Sequence, residues 1–73
     1  MNLPVALFLS IFIVDTAQIM STKSQMRFET IEKCENFILY MSEGYPYHRN
    51  EQGALVLTNP ANGNIITAKC YKD

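Results

Sequence analysis

Ile31, Cys34, Ile38 and Met41 recur at steps of three and four, and Phe37 widens the same apolar face, so the spacing predicts an amphipathic helix over residues 30–44. Glu32, Lys33, Glu35, Asn36, Ser42 and Glu43 fall on the other faces and most simply make a solvated surface. The Thr30 hydroxyl can cap the first turn, and Glu32 lies near the positive end of the helix dipole. Gly44 can take the left-handed conformation that closes a helix, and Pro46 cannot continue it. Cys34 therefore faces inward, one turn into the helix.

C-terminal to the helix the period changes. Residues 45–53, YPYHRNEQG, have no periodicity and read as a loop, whereas residues 54–58, ALVLT, form a compact apolar run suited to a strand. Residues 59–64, NPANGN, are dense in turn formers, and residues 65–71, IITAKCY, read as a second strand, so the pair predicts a hairpin. Asn62 and Gly63 supply the positive backbone angles of a tight reversal, and Pro60 stops the first strand. In the last strand Ile66, Ala68 and Cys70 share one face, opposite Ile65, Thr67, Lys69 and Tyr71, and that first face should meet the helix. N-terminal to the helix, residues 26–29 alternate apolar and polar as a short strand would, and residues 21–25, STKSQ, read as a linker.

Residues 3–14 are an apolar run broken only by Pro4 and Ser10, the length of a signal-peptide hydrophobic region; carried on to Met20 the run is marginal for a bilayer span. A cleaved signal, an uncleaved anchor helix and a buried core helix are the three readings. For cleavage, Ala17 is the best small residue, but Asp15 two positions before it fits the pattern poorly. Only the terminal amine and Asn2 precede the run, with no lysine or arginine. Lys23 and Arg27 follow it, which taken alone would hold that side in the cytoplasm. The expected organisation is a signal peptide or membrane-anchor helix over residues 1–21, then a domain over residues 22–73.

A chain of 73 residues holds one small domain, and its 48% hydrophobic content is weighted toward the N-terminal run. The roughly 50 residues beyond it bury too little surface to be secure without a staple, a metal or a partner. Cys34 and Cys70 are the two cysteines. The inward face of the helix presents one and the inward face of the last strand presents the other, so a disulfide is expected, contributing roughly 3 to 4 kcal/mol in the chain-entropy model. The alternative is two buried free thiols in a reducing compartment. An even cysteine count agrees with an oxidising one.

Net charge is −1 with both signs interspersed, which suggests neither a nucleic-acid surface nor a polybasic membrane patch. His48 is the one histidine and has no nucleophile or carboxylate in a recognisable motif beside it. One histidine and two distant cysteines lack the ligand spacing of a structural zinc site. No cofactor, metal or catalytic residue is expected. The candidate partner-binding residues are Tyr45, Tyr47, His48 and Arg49 around Pro46, since tyrosine and arginine combine contact area with hydrogen bonding at interface anchors. The plainer reading has Tyr45 and Tyr47 folding back as lids over the end of the core.

The apolar N-terminus, the stretch RFETIEKCENF at residues 27–37 and the lone cysteine near the end resemble in layout small exported or membrane-anchored proteins of marine cyanobacteria and their viruses. That resemblance implies export or anchoring in a bacterial or viral setting, and no activity, cofactor or site residue. The expected fold is α+β, an N-terminal hydrophobic helix followed by a β-α-β-β domain with one helix on an antiparallel sheet. The expected function is that of an exported or membrane-tethered interaction protein, held to the membrane by residues 3–20 if these are uncleaved. A small modulator of an envelope enzyme or transporter is the alternative, and an enzyme ranks last.

Overall fold

The computed structural model describes residues 3–73; Met1 and Asn2, which open the expected 1–21 segment, lie outside the described residues. The elements are β1 (Val5–Ile13), β2 (Gln18–Phe28), α1 (Ile31–Met41), β3 (Tyr47–Arg49), β4 (Leu55–Thr58) and β5 (Ile65–Lys72). The strands form one sheet in the order β2-β1-β5-β4-β3, with every neighbouring pair antiparallel.

This corrects the expected N-terminal hydrophobic helix. Residues 3–20 are instead the lead-in to β1, the strand itself, a four-residue reversal and the start of β2. No helix among the described residues is long and apolar enough to cross a membrane. The physical reason is position in the sheet. β1 is paired on both flanks, with β2 from Val5↔Phe28 to Ile13↔Gln18 and with β5 from Val5↔Lys72 to Phe12↔Ile65. Pairing on both flanks satisfies the backbone of β1 as a strand, and a continuous apolar run of this length does not by itself distinguish strand from helix. The content of VALFLSIFI in β-branched and aromatic residues favours the strand.

Three smaller expectations change with it. The linker read at residues 21–25 lies inside β2, so the boundary expected between residues 21 and 22 falls within a paired strand. The short strand at residues 26–29 is the far end of that same element, and the loop at residues 45–53 contains β3, which pairs Tyr47↔Leu57 and Arg49↔Leu55. The β-α-β-β architecture is therefore replaced by a five-stranded sheet with one short helix.

Helix α1 begins where the sequence indicates. The Thr30 hydroxyl accepts a hydrogen bond from the Lys33 amide at 3.1 Å, and Gly44 takes φ +87° beyond the C-cap Ser42. Cys34 and Ile38 are buried, Phe37 is half-buried against Phe28 with ring centroids 5.4 Å apart, and Ile31 and Met41 at the two ends of the face are exposed. Under the helix the core gathers Val5 and Leu7 of β1, Leu55 and Leu57 of β4, and Ala68 and Cys70 of β5. Cys34 and Cys70 are joined by a disulfide, with Cα atoms 6.1 Å apart across a sequence separation of 36. Ile66, Ala68 and Cys70 thus share the helix-side face as their alternation predicts.

The β4–β5 hairpin also forms, with one revision to its turn. Gly63 alone there takes a positive φ, +78°, while Asn62 contributes its side-chain oxygen, which accepts from the Asn64 amide at 2.9 Å. Asn59 accepts the Ala61 amide through its side chain and the Gly63 amide through its carbonyl. In the β1–β2 reversal Ala17 has φ 54°, the left-handed region that an L-residue enters at a cost of roughly 1 to 2 kcal/mol.

Candidate functional site

The helix does not cover the sheet evenly. Beyond Leu7 the odd-numbered residues of β1 run out from under α1, and an open trough of about 230 Å³ lies between the C-terminal half of the helix and the strands. Leu9 and Ile11 of β1, Ile66 of β5 and Leu57 of β4 form its floor, and Phe37 and Met41 its helix wall. Tyr45 and Ser42 close one end, the Ser42 hydroxyl being occupied as a donor to the Ile38 carbonyl at 2.6 Å. Among the described residues, no ionisable side chain borders the trough except the Tyr45 phenol. A second depression of about 190 Å³ lies on the far side of β1, lined by Leu9, Ile11 and Ile13 with Met20, Ser21 and Thr22 of β2.

The four candidate residues of the tyrosine segment take separate positions. Tyr45 is half-buried, packs against the core and lines the trough, the place of a lid. Tyr47 starts β3 and is 55% exposed. His48 is exposed and points to the opposite face of the sheet from Tyr47 and Arg49, because successive residues of a strand alternate. Arg49 reaches the helix. Its two terminal nitrogens donate to the two carboxylate oxygens of Glu35 at 2.8 and 2.9 Å, and one of them also donates to the Gly53 carbonyl at 2.9 Å. This two-pronged pairing straps the short edge strand to α1. The hydrogen bond from Arg49 holds the Glu35 carboxyl below the usual glutamate range against the opposing effect of partial burial, and Glu35 in turn raises Arg49. Glu35 is therefore a tether and not part of a freely solvated face.

A second charged group sits at the other edge of the sheet. Asp73 accepts from Arg27 at 2.6 Å and from Lys23 at 3.1 Å, which lowers its carboxyl below the ordinary aspartate value; the bond to Asp73 raises Lys23. Lys23 also lies 6.0 Å from the centre of the Tyr71 ring. These groups are exposed and pinned to one another, an arrangement that fixes Asp73, just past the end of β5, to β2. Among the described residues no group of three or more His, Cys, Asp or Glu side chains could hold a metal ion, and no cysteine is free.

The trough residues of β1 were not legible as a site, because a run apolar on both faces carries no alternation to separate floor from back. Met41 was legible as part of the helical face, but its position past the end of the covered sheet was not. No family model matches the chain, and no curated protein and no solved structure matches it.

Proposed function

We propose that the protein is an exported interaction protein that seats one or two large apolar side chains of a partner protein in the trough beside α1. The observation that carries this reading is the trough itself, an open apolar depression of about 230 Å³ beside the 66% exposed Met41. Its volume lies below the roughly 300 to 1,000 Å³ of pockets that engulf a small molecule, and its lining lacks the few convergent polar groups that orient one. Anchor side chains from a protein surface need neither. Tyr47 and Tyr40, 55% and 75% exposed, offer amphipathic contact area of the kind favoured around such anchors.

Export rests on the disulfide, since bonds of this kind persist in oxidising compartments and are rare in reducing ones. Residues 5–13 supply no argument for export, because they form a paired strand of the sheet whose first three residues, Val5, Ala6 and Leu7, are buried.

A photo-crosslinking residue placed at Met41 tests the binding site in the native host, with the same residue at His48, on the opposite face, as the comparison. A discrete adduct from position 41, absent from position 48 and lost when Leu9→Lys is added, is the expected result. Equal labelling from both positions would remove the trough from consideration. Alkylation in denaturant of acid-quenched cells tests the compartment separately: Cys34 and Cys70, 0% and 6% exposed in the fold, should resist it until a reductant is added.

A further inference from the structure

We propose that β2 is the interface of a homodimer, in which it pairs antiparallel with β2 of a second copy about a two-fold axis near Ser21. The sheet has two edges, β2 and β3. Folded proteins guard such edges by making them short, charged, kinked or covered, because a row of unpaired amides and carbonyls is a template for another strand. β3 is guarded: it is three residues long and strapped by Arg49 to Glu35. β2 is eleven residues long and exposed at every position except Ser24 and Phe28.

Part of β2 does carry a guard. Its register with β1 jumps between Phe8↔Lys23 and Ala6↔Arg27, so three residues, 24–26, lie opposite Leu7 and the edge is kinked there. From Gln18 to Lys23 the register is regular, and Lys23 is the one charge on those six residues. Ile19 and Met20 are 69% and 61% exposed, one on each face of the sheet. The depression lined by Leu9, Ile11, Ile13 and Met20 borders this same stretch and stays open along it. A strand laid along the edge would pair the backbone, bury Ile19 and Met20, and put side chains next to that depression.

Charge order selects a second copy as that strand. Asp15 stands in the turn before β2, and Lys23 and Arg27, which share the single carboxylate of Asp73, stand in its second half. Antiparallel self-pairing about Ser21 sets Asp15 of each copy beside the cationic half of the other, and Met20 opposite Thr22. Parallel pairing would put Asp15 on Asp15 and lysine on lysine. The regular stretch is about 20 Å long, a small interface, so association should fall in the micromolar range typical of weak contacts.

This interface is distinct from the trough beside α1, and its test does not depend on the partner there. Sedimentation equilibrium of the oxidised 73-residue chain from about 5 to 500 µM should give a monomer–dimer equilibrium. Ile19→Lys and Met20→Lys should each weaken it at least tenfold while the far-UV spectrum and the disulfide are retained, since both side chains are exposed in the monomer. Asp15→Lys should weaken it at low salt and less so at high salt. Amide exchange over residues 18–23 should slow as protein concentration rises. A chain that stays monomeric over the whole range overturns the proposal, and so does a dimer whose constant is unmoved by both Ile19→Lys and Met20→Lys.

Discussion

Arg49 and Glu35 are separated by fourteen positions, and their pairing sets the pH behaviour of the short edge strand. The sign follows from the direction of the carboxyl shift. In the folded protein Glu35 is held below its usual range by the hydrogen bond from Arg49, whereas in the unfolded chain it titrates within the ordinary glutamate range. The unfolded state therefore binds a proton first on acidification, and the stabilisation is complete above the unfolded value and lost as pH falls through the depressed folded value. Asp73 is shifted in the same direction by Lys23 and Arg27 and adds to the same acid limb, although all three side chains are exposed and solvent screens them. Melting temperature should thus decline as pH is lowered from about 5 toward 3. Glu35→Gln should lower stability at neutral pH and flatten that decline. Thermal melts across that range, with the disulfide intact, check both statements. An unaltered slope in Glu35→Gln would show that the strap carries no weight.

Strand β1 is the element on which the sheet depends, and the element least legible in the sequence. Cys34, Ile38, Ile66, Ala68 and Cys70 could be placed correctly because each lies in a segment whose period is unambiguous, 3.6 in the helix and 2 in the last strand. The Thr30 cap was equally local. β1 has no such period: Val5, Leu7 and Leu9 face the helix while Ala6, Phe8 and Phe12 face away, and both sets are apolar. One of its two partners, Ile65–Lys72, lies more than fifty residues later in the chain, where no local pattern reveals it. The Arg49–Glu35 strap was hidden for the same reason, since it joins a helix to a strand too short to show alternation. The tyrosine segment could be picked out by composition, but its division between lid, edge and opposite face required the register of β3. A consequence belongs to the same element. A chain beginning at Gln18, the start expected for a product cleaved after Ala17, lacks β1, leaves β2 with no neighbour and opens the β5 edge. It also removes Val5 and Leu7, 0% and 2% exposed, from beneath the helix. Each such large-to-small loss alone costs about 2 to 5 kcal/mol, against a total stability of about 5 to 15 kcal/mol for a domain. Residues 18–73 should show no cooperative thermal transition and poorly dispersed amide resonances. A folded fragment with its own melting transition would refute the central role assigned to β1.

At the scale of the whole molecule the fold is long for its mass, 41 Å by 22 Å by 22 Å, with the helix over only part of the sheet. Its buried apolar residues are few and gather around Cys34 and Cys70, so the covalent bond lies inside the core it supports. A domain of this size buries a smaller share of its surface than a larger one and has little hydrophobic surplus over chain entropy. Joining residues 36 positions apart restricts the unfolded chain by roughly 3 to 4 kcal/mol. In a chain of this length each kilocalorie moves the midpoint by about 4 to 8 °C, so reduction should lower it by roughly 12 to 30 °C. The double variant Cys34→Ala/Cys70→Ala should show a comparable loss without the complication of free thiols. The two ends of the molecule should then respond differently. The β1–β2 hairpin is held by an extended antiparallel register from Val5↔Phe28 to Ile13↔Gln18 and contains neither cysteine, whereas α1 rests on the sheet through Cys34, Ile38 and Phe37. Hydrogen exchange on the reduced protein below its midpoint should accordingly speed up first over Ile31–Met41, with the β1 amides protected longest. Uniform loss of protection across helix and sheet would mean that the clasp stabilises the molecule as one unit and does not chiefly dock the helix.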